Sequence, residues 1–315
     1  MPKYKNVLCL SVLASAVMLS ACQPKEAEPK DKQVTETAQI AEQQLKLIGE
    51  NEKLKLNVPD CDGKDCPEIN IERLSSNQAF IDTFIDQKIL EVVKGVLSPE
   101  AIEPAQVKLD ENDQPASEAS LAKVETPKQI LEKQMLPHMQ GFLNLDKELK
   151  TLNASHSISM MVKPKILNSS DPLATVVLNS SSYLGGAHGS SAQTFYNFDL
   201  DKKQQVKLDD LIVAKQKAKL EQQAHEVFKV WVTDSKLATN VAEYEQAWPF
   251  SLTDNFYLSK QGLVLQYAEY EIGPYVVGLP KLVIPYEQLQ GVLKAQYLPQ
   301  AEQAASEAKP STQAH

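Results

Sequence analysis

Basic residues are scarce in this 315-residue chain: 32 Lys and Arg stand against 41 Asp and Glu, a net charge of −9 at pH 7. That balance excludes nucleic acid as a partner, because affinity there comes from neutralising phosphates with Lys and Arg. It suits a basic partner, since complementary fields speed encounter, and it equally serves plain solubility. The five histidines show no metal-ligand spacing and no His-Glu-x-x-His helix, so neither a metal nor another cofactor is expected. There is no Gly-x-Ser-x-Gly elbow and no phosphate loop ending in Lys-Ser/Thr. No internal repeat is visible. The apolar run from Val7 to Leu19 is too short for a comfortable membrane-spanning helix.

What that run does have is context. Lys3 and Lys5 precede it, and Leu19-Ser20-Ala21-Cys22 follows, small residues leading directly into a cysteine. This is the pattern of a secretory signal peptide, and its end resembles a bacterial lipobox, with cleavage before Cys22 and lipid (palmitate among its acyl groups) on that residue. Gln23, not Asp, comes next. By analogy with lipoprotein sorting in Gram-negative bacteria, that favours the outer membrane, with the protein facing the periplasm. Cys9 leaves with the leader, so Cys61 and Cys66 are the cysteines left to pair. They bracket a turn-rich stretch containing Asp62-Gly63, and a disulfide is the natural reading outside the cytoplasm. Half of a zinc site is the rival, although no His or Cys nearby in sequence completes it.

The expected organisation is a signal peptide at 1–21, a flexible tether at 22–55, an α+β domain at 56–296 and a disordered tail at 297–315. The tether is rich in Lys, Glu, Gln and Ala and cannot bury much surface; residues 37–54 suit at most a transient helix. Within the domain, an N-terminal part (56–150) and a C-terminal part (151–296) are distinguished. Ser75 or Ser76 caps a helix carrying Phe80, Ile81, Phe84, Ile85, Ile89, Val92, Val93 and Val96 at helical spacing. Thr126-Pro127 starts a second helix, which should stop or kink near Pro137. Ile158, Met160 and Val162 alternate as in a half-buried strand, and Leu173 to Leu178 is an apolar run suited to a central one. Tyr196, Phe198 and Leu200 share one face of a further strand. An amphipathic helix follows around Leu220 to Trp231, then late strands at Leu263–Tyr267 and Leu282–Ile284, and a short helix from Tyr286 to Leu293. Strands grouped apart from helices indicate α+β with a mainly antiparallel sheet packed by a few amphipathic helices.

Two segments are chemically unusual. Tyr183-Leu184-Gly185-Gly186-Ala187-His188-Gly189 lies between strands, and its glycines permit backbone angles other residues avoid. His188 has two readings, a histidine bonded to a turn or a general base; a nucleophile for the second must come from elsewhere. In Tyr267-Ala268-Glu269-Tyr270-Glu271-Ile272-Gly273-Pro274-Tyr275, Gly273-Pro274 breaks a strand-like pattern and presents Tyr275 on a loop, where an aromatic ring makes a good contact anchor. The bland alternative packs Tyr270 and Tyr275 over a sheet edge. Glu269 and Glu271, two apart, are read as solvated charges.

Together with Val206-Lys207-Leu208-Asp209-Asp210-Leu211 and Ile284-Pro285-Tyr286, these segments resemble the C-terminal domain of the RsiV family, the lysozyme-sensing domain of certain bacterial anti-sigma factors. The resemblance spans roughly residues 155–293, with a less specific likeness over 69–149. It implies an α+β fold and binding, not turnover. It makes lysozyme or a related cell-wall hydrolase the partner, with Gly185, Gly186, His188, Pro274 and Tyr275 as contact residues. The anti-sigma segment and membrane helix of the sensing proteins, and the peptidoglycan deacetylase module that accompanies similar domains, have no counterpart in this sequence. A lipid-held binder is therefore expected. A module for peptidoglycan or another envelope glycan is the alternative, and hydrolysis through His188 a third.

Overall fold

The computed structural model describes residues 45–58, 66–97, 125–152, 157–170 and 172–299, all within one unit, Glu42–His315. A six-stranded sheet runs in chain order through β1 (Gly49–Lys53), β2 (Glu68–Ser76), β3 (Ser159–Asn168), β4 (Ala174–Tyr183), β5 (Ser190–Asp199) and β6 (Gln204–Val206). Its pairings are antiparallel except β2 with β3, which is parallel. A second sheet, all antiparallel, holds β7 (Phe256–Leu258), β8 (Gly262–Gln266) and β9 (Lys281–Pro285). The fold is α+β, as expected.

Helix α1 (Ala79–Leu97) covers one face of the large sheet. Its buried stripe is Ile81, Ile85, Ile89 and Val93, each one turn from the last. Phe80 and Phe84 meet the sheet edge-on, against Phe198 at 5.9 and 5.4 Å and, for Phe84, Tyr196 at 5.2 Å. Ser76 Oγ accepts from the Gln78 amide at the helix start, and the Asp82 carboxylate accepts from Ser76 N and Oγ. Arg73, only 4% exposed, donates Nε and Nη2 to Asp86 of α1 and Nη1 to Glu52 of β1. Charge-assisted bonds on three donor atoms satisfy a guanidinium that burial would otherwise penalise.

Helix α2 (Pro127–Thr151) packs on α1 through Leu131, Met135, Met139 and Phe142. Thr126 caps it in a reciprocal box with Gln129, with Pro127 inside the first turn. It does not end at Pro137. That residue and Lys133, whose carbonyl loses its intrahelical donor, are both exposed, so the free acceptor faces solvent while the buried stripe opposite holds the helix together.

A second core forms around α4 (Lys217–Asp234), preceded by the short α3 (Leu208–Leu211) and followed by α5 (Val241–Ala247). Leu220, Ala224, Phe228 and Val232 of α4 are buried there with Leu263, Leu265, Leu282 and Ile284 of the small sheet. The motif at residues 206–211 belongs to this core: Leu208 and Leu211 point inward, and the Asp210 carboxylate accepts from the Lys207 amide.

Three expectations need correction. The flexible tether at 22–55 is too long, because residues 49–53 form β1, Leu47 and Leu54 are buried, and Leu47 N donates to Ser169 O. The tail begins later than 297, since Tyr297 is buried and Leu298 packs on the second core. Residues 286–293 form turns instead of a helix: the amides of Gln288, Leu289 and Val292 bond three residues back, and Gly291 turns out at φ 72°.

Replacing Pro137 by Ala restores an amide on the exposed side of α2 and should stabilise the protein by about 1–3 kcal/mol. Denaturant unfolding measures this; an unchanged or lower midpoint would show that the helix depends on its proline.

Candidate functional site

Alternation along β5 decides where the second core sits. Tyr196 and Phe198 face α1, whereas Phe195 and Asn197 point to the opposite side, toward β7. There Phe195 stacks on Tyr257 at 4.4 Å, and Asn197 Nδ2 donates to Phe256 O at 2.8 Å. The small sheet is thereby set against β5, and its β8–β9 connection lies beside the β4–β5 connection. These are the two unusual segments of the sequence.

The β4–β5 loop turns at Gly185, where φ is 87° and a Cβ would lie 3.0 Å from Leu149 Cδ1 at the end of α2. Glycine meets both demands. Gly186, Ala187 and His188 are exposed. In the β8–β9 connection, Tyr267 is fully buried and its hydroxyl donates to Ser251 O. A tight turn then begins at Ala268, whose amide donates to the Glu271 carboxylate at 2.7 Å. Ile272 is buried, and its carbonyl accepts from Tyr244 Oη of α5 at 3.0 Å. Burial holds the Tyr244 hydroxyl above its ordinary range, so it keeps its proton and stays a donor. Pro274 leads into a single 3₁₀ turn, Tyr275–Val277.

Three contacts lock the loops together. Tyr275 Oη donates to Gly189 O at 3.1 Å, across 86 residues of sequence. Glu269 Oε1 accepts from Ser191 N at 3.1 Å and from Ser191 Oγ at 2.5 Å. The His188 ring stacks on Tyr275 at 4.7 Å and 24°, and Tyr270 lies against Tyr275 at 5.6 Å and 30°. The outer parts of this assembly stay open to solvent: Tyr270 is 54% exposed and Val276 86%.

Gly185, Gly186, His188, Pro274 and Tyr275 are thus brought to one place. Glu269 is corrected: it is not a solvated charge but a clamp on Ser191, and since 268–271 is a turn, Glu269 and Glu271 share no strand face. Tyr270, which the sequence offers only as a ring packed over a sheet edge and not as a contact residue, belongs to the same cluster and is exposed on a turn. Cys22 and Cys61 lie outside the described residues. Among the described residues no group of three or more His, Cys, Asp or Glu could hold a metal ion, and no helix is long and apolar enough to cross a membrane. What the arrangement presents is a stack of three aromatic rings, with the nearby Glu269 and Glu271 carboxylates engaged by Ser191 and the Ala268 amide.

The geometry therefore places an exposed aromatic cluster on an α+β scaffold. Residues 198–287, which contain the β8–β9 loop and most of the second core, match the family described as "Protein of unknown function (DUF3298)". Two solved structures are similar. A DUF3298 family protein from Pseudomonas aeruginosa PAO1 is 25% identical, with a TM-score of 0.53 over 80% of this chain and 95% of that one. A DUF3298 member from Bacteroides fragilis NCTC 9343, at 21% identity and TM-score 0.51 over 79% of this chain and 93% of that one, shares the fold. Among curated proteins, peptidoglycan-N-acetylmuramic acid deacetylase PdaC of Bacillus subtilis (strain 168) is 25% identical over 164 residues, 49% of this chain. The chain spans about a third of that protein's length, 34%.

The base of the loop depends on one small residue. A Cβ on Gly273 would lie 2.7 Å from Tyr244 Oη and 2.9 Å from Val277 Cγ2. Gly273→Ala should cost about 1–3 kcal/mol through overpacking and loosen residues 268–278. Unfolding midpoints and amide exchange in that segment test this; wild-type protection in the variant would show that the contact does not seat the loop.

Proposed function

We propose that this chain is an envelope protein held by lipid on Cys22, with Cys61 bonded to Cys66, whose aromatic patch binds a basic protein: lysozyme or a related cell-wall hydrolase. On this reading it is a binder and not an enzyme. The observation that carries the reading is the interlocked stack of His188, Tyr275 and Tyr270. Large rings already fixed in place lose little entropy on contact, which is how aromatic residues become anchors of protein interfaces. The RsiV-like motifs supply the kind of partner, and a net charge of −9 favours approach by a basic one.

Geometry supports a tether at the other end. Leu45 and Pro299 line the same cavity as Asp199 and Ala174, at one end of β4 and β5. The loop of Gly185 and His188 joins the opposite ends of those ten-residue strands, about 30 Å away. A chain rising from a lipid to Leu45 would present the patch outward.

Titrating the protein with hen egg-white lysozyme in a calorimeter at moderate salt should give binding, weakened about 30-fold or more by Tyr275→Ala. No heat and no co-elution would remove the idea. The anchor is checked separately: wild type should partition with the membrane fraction and Cys22→Ala should not, whereas equal partitioning would count against lipidation.

A second reading, binding of peptidoglycan glycan, is favoured by the similarity to a peptidoglycan deacetylase and by tyrosine rings able to stack on sugars. Retention on purified sacculi without lysozyme binding would select it.

A further inference from the structure

Five described residues other than glycine have positive φ: Asn57, Lys203, Lys215, Lys236 and Tyr270. Asparagine enters the left-handed region at small cost, and the three lysines bear the ordinary Cβ penalty on exposed turns with their side chains in water. Tyr270, at φ 62°, is the aromatic exception. A bulky side chain there is a true outlier, which persists only where the surroundings over-determine it.

The surroundings do so from both sides. Before Tyr270, Glu269 is pinned to Ser191 N and Oγ. After it, the Glu271 carboxylate holds the Ala268 amide at 2.7 Å, closing the turn. Yet the ring so held is not buried. It rests one face on Tyr275 and leaves 54% of the residue in solvent. Packing over a sheet edge does not account for this, because the site spends backbone strain to keep apolar surface wet.

We propose that Tyr270 is a ligand-contacting residue, the outer ring of the His188–Tyr275–Tyr270 stack, held in a left-handed turn by Glu269 and Glu271. The inference rests on the protein-binding reading above, and its occupant is the same basic protein. It adds a residue outside those the sequence nominated and assigns the two carboxylates a positioning role. The turn costs the fold stability, and what it provides is an anchor standing clear of its own protein.

Four proteins test it: wild type, Tyr270→Phe, Tyr270→Ala and Tyr270→Gly. Alanine and glycine both delete the ring, so their difference reports the backbone alone. Glycine should melt about 2–4 °C above alanine, the reverse of the usual order, because alanine pays for positive φ and glycine does not. Alanine melting at or above glycine would overturn the strain. In titrations with hen egg-white lysozyme, Tyr270→Phe should bind like wild type, while the alanine and glycine variants should each lose about 30-fold. Wild-type affinity in either would overturn the contact role. Should wild type itself ignore lysozyme, the protein-binding reading fails, and the same four proteins are scored on purified sacculi: selective loss by the ring-deleted pair supports Tyr270 as a contact. Retention by that pair, or no binding by wild type, overturns it.

Discussion

The site depends on how the second sheet is fastened to the first, and that fastening is polar. Asn197 of β5 and Thr175 of β4 are both 1% exposed. Thr175 Oγ1 donates to Asn197 Oδ1 at 2.8 Å, and Asn197 Nδ2 donates to Phe256 O. Beside them, Asn255 Oδ1 accepts from Phe195 N while its Nδ2 donates to Gln193 O, so one side chain pairs with β5 much as a strand would. Apolar faces alone tolerate sliding, because burial is non-directional. Buried amides do not, since a shift leaves them unsatisfied at about 1–3 kcal/mol each. The register of the small sheet on β5 is therefore specified, and with it the position of the β8–β9 loop beside the β4–β5 loop.

From that placement the local contacts follow. Neither loop has a regular element to stabilise it beyond one 3₁₀ turn, so each uses the other as its frame. Tyr275 reaches Gly189, Glu269 reaches Ser191, and Tyr244 supports the base through the Ile272 carbonyl. Glycine is needed where the frame is tightest, at Gly273, and the end of α2 backs the opposite loop at Gly185. Contacts from both cores thus converge on one patch. This cross-bracing holds the rings in place where neither loop has an extended regular element of its own.

Elements with a period were legible in the sequence, whereas elements held by other means were not. Helix α1 shows its stripe at Ile81, Ile85, Ile89 and Val93, and α2 announces its start at Thr126-Pro127. β1 has no apolar alternation, as Gly-Glu-Asn-Glu-Lys shows; main-chain pairing with β2 makes it a strand. Leu289, Val292 and Leu293 have helical spacing and are buried, yet three-residue turns place them there as well as a helix would. Pro137 could not be judged without knowing which side of its helix meets water. The glycines marked both functional loops, but that His188 would lie on Tyr275 follows from the Asn197 and Asn255 bonds, between residues about 60 positions apart. Tyr270 in a left-handed turn left no trace in its neighbours at all.

The three rings of the patch are held in place by different means. His188 is held by its face, stacked on Tyr275, and no described side chain is shown hydrogen-bonded to its nitrogens. Stacking fixes the plane of the ring and sets one of its faces against Tyr275. Tyr275 is held at its tip: its hydroxyl is spent on Gly189 O, so what it offers outward is ring. Tyr270 completes the series by exposing its ring at a cost in backbone strain. Tyr275 commits its hydroxyl and Tyr270 its backbone to holding position, His188 is held by ring stacking, and the His188 and Tyr270 residues stay exposed to solvent.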